Sequence, residues 1–139
     1  MSGGSRGGRR ITGRFRPARI GFVIVSWIFV ACIVVQIYLA GLGVFDRPAT
    51  FLTHRDFGYM LGILTPVMIL LAVVGRLPRW VVAASTGLLA LFGLQSVFIA
   101  FRDSTPTLAA LHPVNGFAIL LLAVWVAWRT REYLRREPT

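Results

Sequence analysis

Residues 20–44 read IGFVIVSWIFVACIVVQIYLAGLGV, 25 consecutive positions without a charge. At a rise of about 1.5 Å per residue, such a run crosses the ~30 Å hydrocarbon core of a bilayer as one helix. Three more uncharged runs follow at 57–74, 80–101 and 108–128. Lipid offers no partner to a backbone amide, so runs of this kind read as helices whose hydrogen bonds close internally. The fold class is therefore all-α: a polytopic membrane protein with an up-down bundle of four transmembrane helices. The predicted spans are 20–44, 48–74, 80–101 and 106–128, between an Arg-rich tail at 1–19 and an extension at 129–139. Such a chain is neither a soluble enzyme nor a nucleic-acid-binding domain. Its single Cys32 lies within the first run and forms no intramolecular disulfide.

The 139 residues include 15 Arg, no Lys and five acidic residues, for a net charge of +10. Twelve of the arginines fall on one side of the predicted bundle: Arg6, Arg9, Arg10, Arg14, Arg16 and Arg19, then Arg76 and Arg79, then Arg129, Arg131, Arg135 and Arg136. The other side has Arg47, Arg55 and Arg102, offset by Asp46, Asp56 and Asp103. This asymmetry predicts that both termini are cytoplasmic. The Gly- and Arg-rich start, with no hydrophobic period, reads as a disordered tail that sets topology rather than as a specific nucleic-acid binder. The first apolar run exceeds the 7–15 residues of a signal-peptide core, so it is expected to stay as span one. Trp125, Trp128 and Tyr133 suit the inner interface and would anchor the C-terminal extension. All-Arg usage with abundant Ala, Val and Gly suggests a GC-rich bacterial genome, and hence a multi-pass protein of the bacterial plasma (inner) membrane.

The chain repeats itself. Pro48, His54, Gly58 and Tyr59 recur 58 positions later as Pro106, His112, Gly116 and Phe117, and Ser26 and Gln36 recur after 59 positions as Ser85 and Gln95. The two halves read as a duplicated helical hairpin. Both histidines of the chain fall at equivalent places, near the outer ends of helices two and four, and so at one depth. In an up-down bundle these helices are diagonal partners, and inner-face residues on them look at each other across the core. Pro48 and Pro106 suit a first helical turn, and Thr105 suits an N-cap.

An imidazole within the apolar region is a functional candidate. Neutral imidazole ligates haem iron or zinc, but zinc calls for further N, S or O ligands that are absent at helical spacing. A bis-His haem between His54 and His112 fits better, in a diagonal gap that takes one metal after modest spreading, with the macrocycle between the other two helices. Gly58 and Gly116, one turn from each His, would let a flat ring approach the backbone; close helix packing is the alternative. Arg47, Arg55 and Arg102 suit haem propionates, or else the neighbouring aspartates. Gln36 and Gln95 are expected to bond each other across the bundle, with lining of the cofactor slot or quinone binding as other roles.

These residues resemble one four-helix half of haem A synthase and related oxidase-assembly proteins. Gln36-Ile-Tyr-Leu-Ala-Gly-Leu-Gly43 is similar to that family's end of helix one, Thr53-His54-Arg55-Asp-Phe-Gly58-Tyr59 to its start of helix two, and Leu111-His112 to its helix four. The resemblance spans roughly residues 26–129. It implies a haem-binding fold with one His on each even helix, but not the enzyme's chemistry. The family's acidic residue before the first His falls near Phe51, and the loop lacks a Cys pair. No residue is assigned a catalytic role. Haem b, other membrane subunits or a homodimer, and a quinone or redox protein are the expected partners. A cofactor-free accessory or scaffold subunit of a larger membrane complex is the competing expectation.

Overall fold

The computed structural model describes residues 6–136, with side chains from residue 15 onward. Among the described residues the fold is wholly helical: α1 (Arg6–Phe45), α2 (Thr50–Gly62), α3 (Leu64–Val74), α4 (Arg79–Ala100), α5 (Pro106–Ala109) and α6 (Leu111–Arg136). They form four helical segments long and apolar enough to cross a membrane, Phe15–Phe45, Thr50–Val74, Arg79–Ala100 and Pro106–Arg136. Helix α1 reaches back to Arg6, through most of the segment expected as a disordered tail; residues 1–5 of that tail lie outside the described residues.

Around the bundle, α1 packs on α2 and α3, α3 on α4, α4 on α6, and α6 back on α1. Spans two and four therefore occupy opposite corners, as the up-down reading requires. The interior repeats with the sequence. Phe22, Ser26 and Phe29 in span one are buried, as are Val81, Ser85 and Leu88, 59 positions on. Leu61, Thr65, Met68 and Ala72 in span two are buried, as are Ile119, Ala123, Val126 and Thr130, 58 positions on. Steps of four and three along each helix form the heptad-like seam of side-by-side helices. Ser, Thr and Ala along it allow the helices to approach closely.

Two prolines break the helices. Pro66 has no N–H for the carbonyl of Gly62, and span two is interrupted at Ile63. The Thr65 hydroxyl donates to that carbonyl at 2.9 Å and replaces the missing donor. Span four is interrupted at Ala110, where the ring of Pro113 would crowd the carbonyl of Ala109. Pro106 does begin its helix behind Thr105, but the threonine side chain makes no capping bond. Pro48 lies outside α2, because the chain enters through a tight turn in which Thr50 N–H donates to Arg47 O and Phe51 N–H to Pro48 O.

Candidate functional site

His54 lies four residues into α2, and His112 is the second residue of α6 after the break at Ala110. Both are partly buried. Their rings meet across the bundle with centroids 6.2 Å apart and planes at 68°. The diagonal gap expected from the sequence is thus already closed to ring contact.

Each ring is held in the same way. His54 Nδ1 lies 3.0 Å from the carbonyl oxygen of Gln36, and His112 Nδ1 lies 3.2 Å from that of Gln95. A carbonyl only accepts, so these bonds place a proton on Nδ1, and in a neutral ring Nε2 is then the lone-pair nitrogen. Histidines that ligate metals commonly donate their other ring N–H to a carbonyl in this way. Among the described residues, no group of three or more His, Cys, Asp or Glu side chains is placed to share an ion, so the pair stands without a third ligand.

The glutamines depart from expectation. They do not bond each other across the bundle; each closes its own hairpin. Gln36 Nε2 donates to the carbonyl of His54 at 2.8 Å, returning the contact that His54 makes to Gln36. Gln95 Oε1 accepts from Asn115 Nδ2 at 2.9 Å, and the same amide donates to Leu91 O at 2.8 Å. Gln36 Oε1 is buried without a partner.

Gly58 and Gly116 make room for these amides rather than opening on an empty slot. A Cβ on Gly58 would lie 2.6 Å from Gln36 Nε2, and one on Gly116 3.3 Å from Gln95 Nε2. Deeper in the bundle Phe29 and Phe92 meet at 6.0 Å between centroids and close the floor between spans one and three. At the rim, Phe51 stands edge-on to His54 with centroids 6.4 Å apart.

Arg47, Arg55 and Arg102 each pair with the adjacent aspartate: Arg47 with Asp46 at 3.2 Å, Arg55 with Asp56 at 2.8 Å, and Arg102 with Asp103 at 3.4 Å. All three pairs are exposed, so they hold the guanidinium groups only weakly. The sequence reading missed Asn115, which is buried. Its signal was available, since an amide inside an apolar run must find partners.

Residues 36–101, slightly under half of the chain, match a family of unknown function, DUF6220. The match takes in Gln36, His54, Gly58 and Gln95 and stops before His112 and Asn115. No curated protein and no solved structure matches the chain.

Proposed function

We propose that this is a small membrane protein that holds one b-type haem between His54 and His112, for electron transfer, haem handling or assembly of a respiratory complex. The carrying observation is the matched pair of Nδ1-to-carbonyl bonds on rings 6.2 Å apart, which in neutral rings makes each Nε2 the nitrogen able to ligate a metal. The donor set suits iron in a macrocycle better than zinc, which would want more protein ligands. His54 and His112 would hold the haem iron, and the haem would supply a one-electron couple. Arg47, Arg55 and Arg102 would exchange exposed aspartates for propionates. The resemblance to one half of haem A synthase supports the same reading.

The arginine asymmetry supports cytoplasmic termini, with the histidines toward the outer face of a bacterial inner membrane. A haem at one face cannot pass an electron across the whole bilayer, so the reading includes a partner: a quinone, an outer redox protein or a cofactor-bearing subunit.

One observation favours the alternative of a cofactor-free accessory subunit. The side chains of Gln36, His54, Gln95, His112 and Asn115 find partners among themselves and nearby carbonyls. Air-oxidised and dithionite-reduced spectra of purified protein, with a pyridine haemochrome assay, separate the two. About one haem per chain with sharp reduced α and β bands is the expected result. Protein that stays colourless after expression with added haem overturns the proposal.

A further inference from the structure

At the opposite end of the bundle, the exposed face of span one carries a shallow, wide-open groove lined by Arg16, Pro17, Ile20, Gly21 and Ile24. One end is an exposed guanidinium, and the rest is apolar over eight residues, about 12 Å along the helix axis. Other arginines stand near the charged end. Arg19 Nε donates to the carbonyl of Gly75 at 2.8 Å, and the Arg76 guanidinium lies 4.6 Å over the ring of Phe15, the neighbour of Arg16. Arg76 reaches it from a left-handed backbone with φ 48°, in the turn where Leu77 N–H donates to Ala72 O and Arg76 N–H to Val73 O. A glycine at that turn position would avoid the strain. Arg16 makes no ion pair among the described residues, and Glu132, the acidic residue described at this end, is engaged with Arg135 at 3.5 Å.

From this geometry we infer that the groove is a binding site for an anionic phospholipid, with the phosphate at Arg16 and the first part of an acyl chain along Ile20, Gly21 and Ile24. A small soluble anion would leave the apolar floor uncovered, and a zwitterionic lipid would bring its own cation to a surface already crowded with arginine. An anionic lipid matches both the charge and the apolar length. The site is independent of the histidine pair.

Native mass spectrometry of the full chain in detergent, titrated with dioleoylphosphatidylglycerol or dioleoylphosphatidylcholine at equal concentration, tests this. The expected result is preferential retention of phosphatidylglycerol. Arg16→Gln should weaken it roughly fivefold, as expected for one basic residue at an anionic surface, and Arg16→Lys should restore most of the loss. Gel filtration verifies that each variant is folded. Equal retention of both lipids overturns the proposal, as does wild-type retention by Arg16→Gln. Stabilisation by inorganic phosphate alone, as large as that by phosphatidylglycerol, would likewise overturn it, since an ion site would not need the groove.

Discussion

The two halves of the bundle hold equivalent histidines in different surroundings. In the first half Gln36 and His54 bond each other reciprocally, and the Gln36 carbonyl oxygen of the side chain is left without a donor. In the second, Asn115 bonds both Gln95 and the Leu91 carbonyl, and its equivalent in the first half is Phe57. What the halves share is the bond from imidazole Nδ1 to the backbone of the preceding span. A partly buried imidazole needs a hydrogen-bond partner in either case, so the shared bond suits a pair of ligands and a duplicated packing unit alike. The amides vary around a fixed orientation of the rings.

The strongest attack on this comparison is to remove each ring separately. His54→Ala and His112→Ala are both expected to lose the six-coordinate haem spectrum, read as Soret position and reduced α-band in purified protein. A full six-coordinate spectrum in either variant would show that the halves are not equivalent ligands and would sink the bis-His assignment. A smaller effect is expected from Asn115→Leu, which strips the donor from Gln95 Oε1 and Leu91 O. Side-chain hydrogen bonds in membrane bundles contribute about 0.6 kcal/mol on average and up to about 1.7. Because one amide makes both bonds here, a loss of about 1–2 kcal/mol in detergent unfolding is expected. The mirror substitution Phe57→Leu should leave the Gln36–His54 bonds in place, and any loss should come from packing.

Glycine substitution sharpens the contrast further. Gly58→Ala drives a methyl group to 2.6 Å from Gln36 Nε2, too close for the amide to stay, while Gly116→Ala reaches 3.3 Å from Gln95 Nε2, which a small shift relieves. The expected losses are about 1 kcal/mol and a few tenths, respectively. Equal losses would mean that the glycines serve only general helix packing.

How far this was legible in the sequence differs between fold and site. The spans were legible because a bilayer imposes length and apolarity on each helix independently, so 20–44 or 80–101 needs no knowledge of its neighbours. The offsets of 58 and 59 positions between the halves were legible too, and the buried residues follow the same offsets. The destination of Gln36 and Gln95 was not legible, because an amide side chain reaches several carbonyls and the choice depends on helix rotation. The same holds for the cradle at Gly58, which reads equally as space for a flat ring or for an amide until the facing residue is known. Arg76 gave no warning either. The glycine in its turn is one position earlier, at Gly75, and nothing in the local sequence marks Arg76 for a positive φ.

An effect of comparable size concerns Pro66 and Thr65, whose equivalents in the other half are Val124 and Ala123. Span four is continuous there, so its backbone needs no hydroxyl. In span two the proline withdraws the donor of Gly62 O, and the Thr65 hydroxyl supplies another at 2.9 Å. If that account is right, the two residues form one unit. Thr65→Val keeps the shape but removes the hydroxyl, and should cost about 0.6 kcal/mol. In a Pro66→Val background a backbone N–H is available to the Gly62 carbonyl, and the same Thr65→Val change should then be close to neutral. The four-variant cycle, followed by unfolding in detergent, should therefore give a coupling of about 0.6 kcal/mol between adjacent residues. A coupling of zero would mean that the threonine is present for its size, as Ala123 is, and that the break at Ile63 leaves Gly62 to another partner.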